Sequence, residues 1–227
     1  MNDYNVTQLM SIFNEHNDRT IHKWIHYIDI YERHFNKFID MPISLLEIGV
    51  QKGGSLQMWK KYFGNECKII GVDVDPSTKF EEDQITVEIG SQSDEQFMVG
   101  INEKYGPFDI IIDDGSHHQH DVLTSFQILF PTLKMGGVYL VEDTHTSYFE
   151  AYGGGMNSNA NFVNFAKQFV HEPTSEFILI NGRGKQSDVK SVSFYNSMVI
   201  FEKSSGEKIY STFRGAGYSI DNVCLIP

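Results

Sequence analysis

Leu45-Leu46-Glu47-Ile48-Gly49-Val50-Gln51-Lys52-Gly53-Gly54-Ser55 reads as a buried strand, a glycine turn and the start of a helix. Glycines let the backbone approach a ligand closely, and a helix N-terminus favours negative groups. The spacing is Gly-x-x-x-Gly-Gly, not the Gly-x-Gly-x-x-Gly of a dinucleotide pyrophosphate site. Residues 43–48 are one of five short apolar runs; the others are 68–74, 85–89, 108–112 and 138–141. Each is rich in Ile, Val and Leu, and is followed by Gly or Asp, as in parallel strands buried on both faces.

Helical patterns separate these runs, at 55–63, 94–104 and 121–130. In the last, Val122, Leu123, Phe126, Leu129 and Phe130 form an apolar stripe. The alternation predicts an α/β fold: a doubly wound, Rossmann-like sheet, mostly parallel. Residues 1–40 read as helical. Trp24, Tyr27, Ile28, Tyr31, Phe35 and Phe38 share one face, and Met41-Pro42 ends the pattern. Gly153-Gly154-Gly155 and the polar stretch to Asn161 read as a loop or lid. Residues 176–180 read as a strand, and 191–203 as a long run that alternates as an antiparallel edge pair does. The expected organisation is a helical extension, 1–41, followed by a single domain, 42–227.

The chain has 227 residues and a formal net charge of −12, from 18 Lys+Arg and 30 Asp+Glu. That balance argues against nucleic acid, whose binding needs clustered cations, and against an anionic membrane surface. The N-terminus shows no signal peptide, and no run is long enough to span a bilayer, so a cytoplasmic protein is expected. Cys67 and Cys224 have no metal-site spacing and read as two buried thiols. The aromatic-rich N-terminal helix points to a homo-oligomer.

The second run ends Gly71-Val72-Asp73-Val74-Asp75-Pro76. An acid at that strand tip accepts hydrogen bonds from ribose hydroxyls; Asp73 is the first candidate and Asp75 the second. After the third run, Ser93 and Asp94 read as helix caps. The fourth run ends in Asp113-Asp114-Gly115-Ser116-His117-His118, the fifth in Glu142-Asp143-Thr144-His145. Parallel strand tips lie about 4.8 Å apart, so their carboxylates converge at one edge. Clustered carboxylates repel unless a cation compensates, and a hard divalent ion suits oxygen ligands. Asp114, Glu142 and Asp143 are the expected ligands, of Mg²⁺ or Mn²⁺. His117, on the turn beyond Asp114, is the natural general base.

The glycine turn with Glu47, Gly49, Gly53 and Ser55 resembles the first motif of class I S-adenosylmethionine (SAM) methyltransferases. Further blocks extend the likeness: Asn17-Asp18-Arg19-Thr20, Tyr31-Glu32-Arg33-His34-Phe35, Asp113-Asp114-Gly115-Ser116-His117, Val141-Glu142-Asp143-Thr144-His145-Thr146-Ser147-Tyr148 and Val192-Ser193-Phe194-Tyr195. Over residues ~17 to ~200 the chain is similar to the metal-dependent macrolide-sugar O-methyltransferases. The resemblance implies magnesium on Asp114, Glu142 and Asp143, with His117 as base. It implies SAM contacts from Glu47, Gly49, Gly53, Ser55, Asp73, Asp75 and Asp113. Ser91 stands where the family often has an acid, which turns attention to Gln92 for the adenine. Asp18-Arg19 replaces the usual Asp-Lys, and the additional N-terminal domain of macrolide members has no counterpart. The expected reaction is methylation of a sugar hydroxyl, on a nucleotide sugar or other surface-polysaccharide precursor, or on a glycosylated natural product. The rivals are a hydroxylase with iron on His117, His118 and Asp114, and a non-catalytic SAM-binding protein.

Overall fold

The computed structural model describes residues 7–177, 187–207, 211–215 and 218–223. Its centre is five parallel strands: β1 (Ser44–Ile48), β2 (Lys68–Asp73), β4 (Ile85–Ile89), β5 (Ile110–Asp113) and β6 (Val138–Glu142). β3 (Glu81–Glu82), β7 (Val189–Tyr195) and β8 (Met198–Lys203) complete a sheet of order β3-β4-β2-β1-β5-β6-β8-β7. β8 lies antiparallel beside β6, with Leu140 opposite Ile200. A separate antiparallel pair is formed by β9 (Ser211–Gly215) and β10 (Tyr218–Val223).

Alternate residues of each strand point to opposite faces, so the apolar runs feed two cores. On one face α1 (Gln8–Asn14), α2 (Ile25–Phe35) and α3 (Gly54–Phe63) pack Tyr31, Phe35 and Trp59 against Leu45, Ile112 and Leu140. On the other, α4 (Glu95–Tyr105), α5 (Gln119–Leu129) and α6 (Phe162–Ala166) pack Met98, Phe126 and Phe162 against Leu46, Ile111 and Phe201. Phe126 stacks on Phe130 at 4.9 Å and meets Tyr139 edge-on at 5.0 Å. Truncating such a buried ring to Ala costs about 3–5 kcal/mol. Asp94 caps α4 by accepting from the Phe97 amide at 3.1 Å, whereas Ser93 pairs with the Ser91 hydroxyl.

Three expectations are corrected. Residues 1–40 are not one helical stretch: an extended segment, 15–24, joins α1 to α2. Its backbone serves α3 instead of an internal helical ladder. The Arg19 amide donates to Gln57 Oε1 at 3.1 Å, and the carbonyls of Arg19 and Thr20 lie against Gly54. Next, α2 stops at Phe35, followed by a 3-10 turn over Asn36–Phe38, short of Met41-Pro42. The antiparallel edge pair expected over 191–203 is the hairpin of β7 and β8, turning at Ser197 with φ +63°. The strand expected over 176–180 is not seen. Its first two residues end a 3-10 stretch, Lys167–Phe177, in which Pro173 has no amide to give a ladder, and 178–180 lie outside the described residues.

The segment read as a lid is tied down. It forms 3-10 turns over Thr144–Tyr148 and Glu150–Tyr152, and Asn161 Nδ2 donates to the carbonyls of Ser147 at 2.8 Å and Gly155 at 3.0 Å. Cys67 is buried, which pushes its thiol up to about 12; Cys224 lies outside the described residues. Among the described residues no helix is long and apolar enough to cross a membrane.

Candidate active site

The chain order reverses between β1 and β5, the switch point at which open α/β sheets bind ligands. Ile48 stands opposite Asp113, so the turns beyond them touch. The Asp114 amide donates to the Ile48 carbonyl at 2.9 Å. Gly49 has φ +93°, and a Cβ there would overlap the Asp114 carbonyl oxygen. The glycine is therefore required by the meeting of two strand tips. A cavity of about 500 Å³ opens over this edge, lined by Gly49, Ser55, Asp73, Asp114, His117 and Asp143 among others.

Beneath it sits a cation that the sequence reading did not single out. Lys23 Nζ lies 2.6 Å from Asp114 Oδ2, 2.9 Å from Glu142 Oε1 and 3.4 Å from Glu47 Oε1, and the lysine side chain is 3% exposed. Burial alone would discharge it. Asp114, Glu142 and Glu47 outweigh that and hold its pKa well above the ordinary lysine value, so it remains an ammonium. Its local signal in the sequence is slight: one Lys between Ile21 and Trp24, just ahead of the aromatic stripe.

Two tyrosines of α2 complete the floor. Tyr31 Oη donates to Glu142 Oε1 at 2.7 Å, and Tyr27 Oη to Asp143 Oδ1 at 2.7 Å. Burial raises both phenols and keeps them as donors. Burial also raises Glu142, with the nearby Asp114 charge adding to it and Lys23 opposing. Glu47 is raised by burial and held by Lys23 and by Trp59 Nε1 at 2.8 Å. It is a wall of the floor and does not line the cavity.

His117 and Asp143 both adopt left-handed backbone, at φ +59° and +51°. Such conformations persist where the surroundings over-determine them, often at functional sites. His117 Nε2 lies 3.6 Å from Asp143 Oδ2 and 3.9 Å from Asp114 Oδ1. Each carboxylate thus has one oxygen held by the N-terminal segment and the other turned to the same imidazole. One ligand atom from each of Asp114, His117 and Asp143 lies within 4.8 Å of the others. The carboxylate oxygens of Asp114 and Asp143, half-buried at the cavity floor and faced by His117, suit Mg²⁺ or Mn²⁺. Glu142, the third expected ligand, lines the same cavity, and its Oε1 accepts from Lys23 and Tyr31.

A second cavity, of about 190 Å³, adjoins the first; Gly49, Asp73 and Gly115 line both, and Ser91 and Gln92 line the second alone. Asp73 bridges the two. Its Oδ2 accepts from the amides of Val50 at 2.9 Å and Gln51 at 3.0 Å, and its Oδ1 from that of Asp75 at 2.9 Å. Its oxygens keep lone pairs for further donors. Asp75 is exposed, and the Ser77 amide, donating to it, lowers its pKa. Asp113 is buried; Ser125 Oγ donates to it at 2.5 Å and Gln92 Nε2 at 3.0 Å, and burial raises it to about 6. It braces Gln92 and does not line either cavity. Gly53, at φ +83°, does not line them either; it packs against the Phe80 ring.

His118 is exposed, and its ring lies 5.3 Å from that of Tyr152. It is not in the cluster, so the two-histidine iron site that the hydroxylase reading needs is not formed. His145 pairs with Ser197 Oγ at 2.5 Å and packs edge-on against Trp24 and Phe149 at the rim.

Residues 46–144 match a family model described as a methyltransferase domain. The chain is 37% identical over 212 residues to the 8-demethyl-8-alpha-L-rhamnosyl tetracenomycin-C 2'-O-methyltransferase of Streptomyces olivaceus, covering 86% of this chain and 55% of that protein. It is 40% identical over 144 residues to the same organism's 8-demethyl-8-(2-methoxy-alpha-L-rhamnosyl)-tetracenomycin-C 3'-O-methyltransferase, covering 60% of this chain and 37% of the other. The chain thus spans about half, or less, of the length of these relatives. Among solved structures, the MycE methyltransferase from the mycinamycin biosynthetic pathway, in complex with Mg, SAH and mycinamycin VI, superposes with a TM-score of 0.76 at 30% identity. The match covers 87% of this chain and 54% of that one. Residues 46–144 thus match a methyltransferase domain, and the chain has the Rossmann-like α/β fold of the MycE structure.

Proposed function

We propose that the chain is a SAM- and divalent-metal-dependent O-methyltransferase that methylates a sugar hydroxyl on a glycosylated small molecule. The observation that carries this is His117 Nε2 facing Asp114 Oδ1 and Asp143 Oδ2 at 3.9 and 3.6 Å, beside two adjoining cavities bridged by Asp73. An alcohol is a poor nucleophile while protonated. A divalent ion on Asp114 and Asp143 would orient the acceptor hydroxyl and lower its pKa. His117 takes the hydroxyl proton at Nε2 as the oxygen attacks the methyl carbon and the carbon–sulfur bond breaks. The remaining work is positioning. Gly49 and Ser55 would hold the methionine end of SAM, Asp73 would accept from its ribose hydroxyls, and Ser91 and Gln92 would border its adenine. Trp24, Tyr148 and Phe149, all exposed, offer apolar faces at the rim for the acceptor.

The expectation of a surface-polysaccharide precursor finds no counterpart in the relatives, whose names are those of rhamnosylated natural products. Glycosylated natural products are therefore the first acceptors to test, and nucleotide sugars the second. The test is a mass-spectrometric screen of both sets with SAM and Mg²⁺. A gain of one methyl on a sugar, stopped by EDTA and restored by added Mg²⁺, is the expected result. Methylation undiminished in chelator overturns the metal reading, and SAM binding with no product from either set overturns the acceptor class.

A further inference from the structure

His117 and Asp143 lie on different loops, after β5 and β6, yet the carbonyls of these two left-handed residues meet on one hydroxyl. Thr146 Oγ1 donates to the Asp143 carbonyl at 2.8 Å and reaches the His117 carbonyl at 3.2 Å. A hydroxyl has one proton, so the two carbonyls share it, with Asp143 the nearer. Gln119 supplies the rest: its Nε2 donates to the His117 carbonyl at 3.1 Å and lies 3.5 Å from Thr146 Oγ1. That amide is held one way round, because its Oε1 accepts from Ser147 Oγ at 2.8 Å and from the Phe162 amide at 2.8 Å. Thr146, Gln119 and Ser147 are buried and do not line the cavity.

We propose that Thr146 is a positioning residue that sets His117 against Asp143. Its hydroxyl, with the Gln119 amide behind it, holds both carbonyls and so fixes the 3.6 Å approach of His117 Nε2 to Asp143 Oδ2. This rests on the reading above of His117 as base and Asp143 as a metal ligand. A buried carbonyl without a donor is costly, and a left-handed residue keeps its conformation only while its surroundings hold it. Without the hydroxyl the two loops lose their shared tether, and both residues are free to relax towards ordinary backbone. Thr146 acts through them and touches no reacting atom.

Thr146→Val removes the hydroxyl at nearly constant shape, and Thr146→Ser keeps it. Mn²⁺ titrations of the full chain, followed by the electron paramagnetic resonance of the free ion, compare both with wild type. Thr146→Val is expected to bind Mn²⁺ about tenfold more weakly, and Thr146→Ser within about threefold of wild type. Methyl transfer to an acceptor from the screen is then measured at saturating Mg²⁺. There kcat of Thr146→Val should fall about 10- to 100-fold while KM for SAM stays within about twofold, as a base misplaced by about 1 Å requires. Thr146→Ser should recover most of that loss. In a His117→Asn background, adding Thr146→Val should cost less than about threefold more, since its effect runs through the missing imidazole. A threonine that only supports the fold would lower the unfolding midpoint and leave kcat of the folded protein unchanged, and that result overturns the proposal. So does a Thr146→Ser no better than Thr146→Val, or a full loss that persists in His117→Asn. Should Thr146→Val not fold, Thr146→Cys, whose thiol is a weak donor, carries the comparison. A wild type that binds no Mn²⁺ overturns the metal reading, and one without product the methyl-transfer reading; both are read on the unmutated chain, and either takes this proposal with it.

Discussion

The Tyr27 hydroxyl donates a 2.7 Å hydrogen bond to Asp143 Oδ1 across 116 residues of chain. It also reaches the Ser197 carbonyl at 3.0 Å, and the Asp143 amide returns a contact at 3.3 Å. One phenol thus restrains a residue in left-handed backbone on both its side chain and its main chain. Tyr27→Phe keeps the ring, which packs edge-on against Tyr31 at 6.1 Å, and removes only the hydroxyl. A hydrogen bond to a charged group contributes about 1.5–3 kcal/mol, so denaturant unfolding should show a loss of that order. Mn²⁺ affinity should fall as well, because Asp143 loses its restraint.

His117 is best tested by Asn rather than Ala. At φ +59°, Asn tolerates the left-handed backbone better than Ala does, so the loop should survive. Removing a general base lowers turnover by about 10²–10⁴-fold. With an acceptor from the screen, His117→Asn should show that loss while calorimetry finds SAM affinity unchanged. Unchanged turnover would remove His117 from the role of base.

Gly49→Ala adds a methyl group where the Asp114 carbonyl already lies, at a φ of +93° that alanine rarely adopts. The β1 and β5 tips must then part. A strained backbone position costs of order 1–3 kcal/mol, with the overlap in addition, so the variant should unfold at lower denaturant and bind SAM poorly. Wild-type stability and SAM affinity in Gly49→Ala would show that the two tips do not need this approach.

Glu202 governs part of the acid stability. The His34 ring, with Nδ1 3.8 Å from Oε1, holds its carboxyl down at about 2, against an ordinary 4.5, and Ser191 and Lys37 act in the same direction. The lowered pKa means that the folded state binds the proton more weakly than the unfolded state does. Its contribution is therefore present above about pH 4.5 and is lost as pH falls towards 2. Glu202→Gln should lower stability at pH 7 and flatten its decline between pH 4.5 and 3, measured by urea unfolding at each pH. An unchanged slope would rule the pairing out as a source of acid sensitivity.

The sheet was largely legible in the sequence because each central strand is a short Ile/Val/Leu run closed by Gly, Asp or Glu. The blocks around Asp114 and Asp143 were legible because acids at parallel strand tips share one edge. Lys23 was not. A lysine in an extended, polar segment looks like a solvated surface charge, and only the folded sheet shows three carboxylates converging on it. Glu47, Asp113 and Gly53 read as cofactor contacts from their places at strand tips and in the turn; that they also meet Trp59, Ser125 and Phe80 is set by packing that no local pattern specifies. The helix expected over the first forty residues failed because the backbone of 15–24 bonds to α3, a partner that no local pattern specifies.

The N-terminal clamp also sets an order of assembly. Lys23 waits for Glu142, 119 residues downstream, and the ring nitrogen of His26 for the carbonyl of Asn196, 170 residues away. Loop-closure entropy rises with such separations, so local βα units form first and these ties close last. Until they close, the growing sheet carries Glu47, Asp114 and Glu142 at one edge without their internal cation. A ribosome-bound chain that has not yet reached β6 would therefore hold β1 to β5 without an assembled floor. Pulse-labelled hydrogen exchange should show the Ile111 amide protected before that of Tyr27.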